Sequence, residues 1–264
     1  MEIIDAPTTA FQPLSLINPK EGAYFSNLDQ FNDLSSASYR GLKLTFRRRG
    51  TLLNLNGNYT LGRCFGLENQ ASPVFAVGYT NPADPDFDRG YCTANRTHIA
   101  NATAGTQTPH VGGAAGALIS NWRVSGILTA RSGQPINVTT GQDNAFNGQS
   151  NQRVNQISDD AYGAKTLNAY LNRAAFAQPD SGTFGNFMRN SLTGPSFWKI
   201  DLALSRLVPL SSTENVELRL EAFNVTNHFN WGQPNSNLLS STFGRILTMN
   251  GDPRILQFGV KYGF

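Results

Sequence analysis

Two cysteines, three histidines and a set of charged residues at alternate positions are the side chains with the most chemical reach in this sequence. Cys64 and Cys92 bracket a Pro/Asp/Asn-rich stretch, and in an oxidising compartment they could join as a disulfide across it. The sequence alone leaves open whether their Cα atoms come close enough. As a metal site the pair lacks the close-spaced ligands that zinc centres use. His98, His110 and His228 are too scattered to read as one ligand set or one acid–base relay. No serine sits in a Gly-x-Ser-x-Gly elbow, and no glycine loop opens a helix for phosphate. The sequence therefore predicts no catalytic residue, no cofactor-binding residue, no metal ligand and no cofactor: a chain that is not an enzyme. Asn58-Tyr59-Thr60 and Asn224-Val225-Thr226 fit the glycosylation pattern, but read more simply as polar rim or lumen residues.

The charged set is more informative. Lys199, Asp201, Glu217, Arg219, Glu221 and Lys261 alternate with large apolar residues, which puts them all on one face of their strands. They are expected to form ion pairs and hydrogen bonds between neighbouring strands or against a segment that the strands enclose. The competing use is to line a substrate path. Trp122, Trp198, Tyr59, Tyr262 and Phe264 fit the aromatic girdles that a barrel carries at the two membrane interfaces, or else the core of a soluble sheet.

These side chains need strands to position them. At the C-terminus Leu256, Phe258, Val260, Tyr262 and Phe264 alternate with Gln257, Gly259, Lys261 and Gly263. A period of two lays the large apolar groups along one side of a strand and the polar or small ones along the other. The same pattern runs through Leu42, Leu44 and Phe46, then Leu53, Leu55, Gly57, Tyr59 and Leu61 after a turn at Arg49-Gly50. Arg40 shares the parity of Leu42 and belongs at or beyond the edge of any hydrocarbon layer. Arg96 to Thr108 reads as a strand of poor apolar content. Leu118 to Arg131 is clearer, with Trp122, Val124, Gly126, Leu128 and Ala130 on one face and Ile127 as the exception. Trp198, Ile200, Leu202 and Leu204 follow, then Val216, Leu218, Leu220 and Ala222. Counting the terminal segment, the sequence reads as about seven strands.

Composition agrees. Charged residues are 15% and hydrophobic residues 39%, with 25 glycines; roughly 25% charge is usual in soluble domains. No apolar run is long enough for a membrane helix, whereas a barrel strand needs only about ten alternating residues. A net charge of +3 is too small and too scattered for nucleic acid, and Arg47-Arg48-Arg49 reads as a solvated turn. Met1 to Pro7 has neither the basic start nor the apolar centre of a signal peptide. That leaves either a cytoplasmic chain or one whose upstream part is missing.

The connections alternate as well. Short turns near residues 49, 112 and 210 exchange with long irregular stretches at 63–95, 132–194 and 227–253, the second with a short strand at Ile136 to Thr139. Outer-membrane barrels have this asymmetry, with short periplasmic turns and long external loops. Residues 1–36 then become the remainder of a further external loop, and 37–264 the barrel segment.

From residue 37 onward the chain resembles the C-terminal barrel region of TonB-dependent outer-membrane receptors, in particular the Oar-type group with a carboxypeptidase-regulatory-like domain. The residues that carry this are the Tyr39-to-Phe46 strand opening, Asp86-Phe87-Asp88-Arg89, and Asn121-Trp122-Arg123-Val124-Ser125-Gly126 running to Ser132-Gly133-Gln134-Pro135. More specific are Phe184-Gly185-Asn186 with Arg189-Asn190, Gly194-Pro195, Glu221 through His228, Phe243-Gly244-Arg245, and Pro253-Arg254 before the terminal Phe264. The resemblance implies an all-β, antiparallel transmembrane segment of a larger barrel of about 22 strands. It implies a receptor in the bacterial outer membrane that imports a bulky nutrient. The partners it implies are outer-membrane lipid, the assembly machinery that reads the terminal strand, and the TonB energy-coupling system acting through a plug region missing from these residues. A soluble or surface β-sandwich that binds carbohydrate is the other reading of the same strands.

Overall fold

Alternation is realised as strand pairing. The computed structural model describes residues 18–22, 35–67, 79–81, 83–109, 111–113, 119–147 and 152–264. In chain order the strands are β1 (Ser36–Arg48), β2 (Leu53–Leu67), β3 (Gly90–Tyr91), β4 (His98–Gln107), β5 (Trp122–Arg131), β6 (Pro135–Ile136) and β7 (Asn155–Gln156). They continue as β8 (Tyr162–Thr166), β9 (Ala169–Leu171), β10 (Phe176–Ala177), β11 (Leu192–Thr193), β12 (Phe197–Pro209), β13 (Asn215–Phe223) and β14 (Ile255–Gly263). Seven long strands make one sheet in the order β1-β2-β4-β5-β12-β13-β14, with β3 added to the end of β2. Every neighbouring pair is antiparallel. This is the all-β, antiparallel architecture that the period of two predicts, with the same long strands.

Register sorts the two faces. Leu42 lies opposite Leu61, Leu44 opposite Tyr59 and Phe46 opposite Gly57, whereas Lys43, Thr45 and Arg47 meet Thr60, Asn58 and Asn56. Across the sheet Gly57 meets Ala102, Ala102 meets Leu128, and Leu128 meets Ile200. At the far side Leu204 meets Leu220, and Leu220 meets Phe258. One face is thus apolar from edge to edge. The other carries Asn, Thr, Ser and the alternating charges.

That apolar face is not a buried core. Phe258 is 78% exposed and Val260 75% exposed, while Val138 and Val154 in the long connections are 0% exposed. The buried apolar cluster includes Ile136, Val138, Val154, Tyr170, Phe176, Phe187, Leu238, Phe243 and Ile246, all from the long connections, which the sequence leaves irregular apart from Ile136 to Thr139. These connections hold the ladders β6–β11, β7–β10 and β8–β9. Their irregularity is corrected here: they are a packed module, held by scattered single residues and therefore without a period. The strand expected at Ile136 to Thr139 is shorter, Pro135–Ile136, followed by isolated bridges at Thr139 to Arg153 and Asn237.

The remaining differences lie at strand ends. β4 starts at His98 rather than Arg96, and β5 at Trp122. Asn121, with φ 62°, turns the chain into β5; an asparagine tolerates that left-handed backbone better than most residues. His110, Gly116, Leu118 and most of the 1–36 segment lie outside the described residues.

Candidate recognition surface on the long connections

All three long connections leave the sheet at one end and lock together through side chains that reach backbone. In the first, a one-turn helix at Pro85–Asp88 precedes β3, and Cys64 is disulfide-bonded to Cys92 across a Cα separation of 5.4 Å. The pairing that the sequence left open is therefore formed. Arg153 of the second connection reaches into the first. Its guanidinium bonds the Asp88 carboxylate, donates to the Phe87 carbonyl at 2.6 Å and lies 4.1 Å over the Phe87 ring. The other Asp88 oxygen accepts the Thr80 N–H at 2.6 Å. Burial pushes the Arg153 guanidinium below its usual range, an effect opposed by Asp88.

The second and third connections are stitched by backbone. The Leu238 N–H donates to Thr139 at 2.9 Å, Tyr170 to Gly244 at 2.8 Å, and Ile246 to Leu167 at 2.8 Å. Arg173 donates to the Leu238 carbonyl at 2.6 Å and lies over Phe243. In the apolar cluster the Phe176 ring stands edge-on to Phe187 and Phe243, with centroids 5.7 and 5.8 Å apart. Tyr170 donates its hydroxyl to the Thr193 carbonyl at 3.1 Å. Burial, with Tyr162 nearby, pushes its pKa up to about 12.

The motifs quoted above turn out to be locks. Asn224 leaves β13 in a left-handed turn, φ 47°. Its amide oxygen accepts the His228 N–H at 3.1 Å, and its NH2 donates to the carbonyls of His228 and Asp252. A Cβ on Gly185 would fall 2.2 Å from the Arg153 carbonyl oxygen, so only glycine lets the two segments touch there. Asn190 donates to the Tyr91 carbonyl at 2.7 Å, joining the second connection to β3.

The side chains singled out as chemical candidates are dispersed. His98 hydrogen-bonds the Tyr59 hydroxyl at 2.7 Å, and His228 stacks on Trp198 at 4.3 Å. Lys199, Asp201, Glu217, Arg219, Glu221 and Lys261 do share one face. Their close ion pairs, Lys199 with Asp201 and Arg219 with Glu221, both at 2.8 Å, run along a strand and not between neighbours as expected. Two residues on one face of a strand are near enough for long side chains to meet, and both carboxylates are the less exposed partner. What the module does offer is a surface with exposed apolar groups. Trp231 bridges to Met249, and Phe229, Leu247 and Met249 stand exposed beside it. Such a surface can bind by burial of apolar area. No periodic run contains these residues, so the surface left no signal in the sequence.

With the sheet and its asymmetric connections described, the class is plain: the chain matches the family described as outer membrane beta barrel domain over residues 4–257, and it belongs to that family. No curated protein and no solved structure matches it.

Proposed function

We propose that the chain is the C-terminal barrel segment of a TonB-dependent receptor of the bacterial outer membrane, taking up a bulky nutrient without bond chemistry. The observation that carries this reading is the inverted placement of apolar groups: the strand face is exposed, and the buried apolar cluster comes from the connections. In water such a face would be costly, since each fully buried large side chain is worth about 1.5–3 kcal/mol. In hydrocarbon it is the solvated face. A β-sandwich would bury it against a second sheet.

Edge geometry supports the incomplete ring. With seven antiparallel strands in the path, β1 and β14 run in the same direction. Antiparallel closure then needs an odd number of further strands, which gives the even total of bacterial barrels. Two copies side by side in one membrane orientation would meet only in parallel. TonB coupling through a plug, and recognition of the terminal strand by assembly machinery, rest on the resemblance in the quoted motifs. The ligand is a glycan, a peptide or an iron complex, held by the packed long connections.

The test is solubility and context. The chain should require detergent or bilayer to stay monodisperse, and the reading frame upstream of Met1 should encode a plug. A monodisperse protein in plain buffer would end the membrane reading. An upstream frame that encodes a barrel without a plug would end the TonB reading alone.

A further inference from the structure

The geometry points to a bound lipid on the apolar face: one molecule with an anionic phosphate headgroup on Arg40 and Arg63 and an acyl chain in the groove beside Gly57. This rests on the proposal that the face meets hydrocarbon, and goes beyond it by assigning a specific occupant. Arg40 and Arg63 are directly opposite in the β1–β2 register, on the same face as Leu42 and Leu61. Like charges placed so destabilise an antiparallel pair unless an anion lies between them. Neither arginine forms an ion pair among the described residues. Arg63 is held in place, donating to the Tyr91 hydroxyl at 2.5 Å with its guanidinium 4.7 Å over that ring. A guanidinium has five N–H donors, so most stay available to phosphate oxygens.

Depth agrees with a headgroup. On β1 the apolar run of Leu42, Leu44 and Phe46 is bracketed by Arg40 and Arg48 on the same face. At about 3.4 Å per residue that bracket is about 27 Å of strand, or about 20 Å of depth at a 40° tilt. Arg40 and Arg63 therefore stand at the boundary on the side of the long connections. Below them the face is hollowed by small residues. A groove of about 360 Å³ is lined by Phe46, Gly57, Ala102, Ala104, Gly126 and Leu128 among others, and its surface is almost wholly apolar. Phe46 lies about 20 Å along the strand from Arg40, or about 15 Å in depth, a distance that an ordinary acyl chain of about 15 Å spans. A chain hanging from a phosphate on the arginines ends in that groove.

The experiment reconstitutes the full chain in phosphatidylcholine vesicles. They carry a trace of either phosphatidylglycerol or phosphatidylcholine, spin-labelled near the end of the acyl chain. Phosphatidylglycerol should show a larger motionally restricted fraction, and each of Arg40→Ser and Arg63→Ser should lower its relative association about five-fold. Gly57→Leu should shrink that restricted fraction for the same lipid. It is a benign filler, because the nearest atom to an added Cβ is the Asn101 carbonyl oxygen at 4.0 Å. Equal restriction of both lipids by the unmodified protein would overturn the site, whatever the variants do. So would a restricted fraction untouched by Gly57→Leu in a chain that keeps its strand circular dichroism. No restricted lipid of either kind would instead overturn the membrane reading on which the site rests.

Discussion

Single residues hold the long connections together, and two of them carry charge or acidity that can be tested. Arg153 is 4% exposed and its charge is matched by Asp88. Removing one partner of a buried pair leaves the other uncompensated, at a cost of roughly 3–5 kcal/mol. Arg153→Met should therefore open the connections to protease while strand circular dichroism is unchanged. Adding Asp88→Asn, which still accepts the Thr80 N–H, should restore part of the resistance. Tyr170 gives a pH signature. Its pKa of about 12 lies above that of an unfolded tyrosine, near 10, because burial disfavours the phenolate. The raised value leaves stability intact below pH 10. Between about pH 10 and 12 the unfolded chain loses the proton that the folded module keeps, so stability falls by on the order of 2–3 kcal/mol. Tyr170→Phe should remove that alkaline phase of module opening, followed by proteolysis against pH, and should lower resistance slightly at neutral pH through loss of the Thr193 bond. An unchanged alkaline phase would assign it to another group.

At the scale of elements, facing decides cost. Leu202 sits midway between Trp198 and Arg206 on β12, opposite Gly126 and Ala222. Leu202→Arg places a cation at the centre of the apolar band, at roughly 2–4 kcal/mol, and should sharply reduce folded yield in vesicles. Leu218→Arg should be milder, since Leu218 pairs with Arg206, whose guanidinium already lies 5.3 Å over Trp122 near the short-turn rim. Arg219→Leu, on the polar face, should be mildest. Equal yields for all three would refute the facing. This facing was legible in the sequence because one side of each strand meets one kind of surroundings throughout, which imposes strict alternation. The module was not. Val138, Val154, Phe187 and Phe243 are buried one at a time among Gly, Asn and Pro, and their partners lie in other connections. Its traces were the residues of the family-like motifs, Gly185, Asn190, Asn224 and Gly244, each at a close approach or a left-handed turn. Without knowledge of what they touch, nothing in their spacing says that they join segments distant in sequence.

For the whole molecule the open question is the ring, and hydrogen exchange addresses it directly. In an antiparallel pair every second residue turns its N–H toward the partner and the rest turn it away. β5 and β12 have partners on both sides, whereas β1 and β14 are the sheet edges. In detergent, alternate amides of β1 and β14 should exchange fast, while those of β5 and β12 stay protected. On the proposed membrane reading the edges are the costly part of the chain, because an unpaired N–H in hydrocarbon costs several kcal/mol. On the reading that further strands complete the ring, joining such strands to the chain in one polypeptide should slow those same alternate amides and leave the central strands as they were. The expected pattern is periodic, confined to two strands and dependent on the added segment. Uniform protection of β1 and β14 in the chain alone would mean that the sheet already finds its closure, and the need for an odd number of further strands would fall.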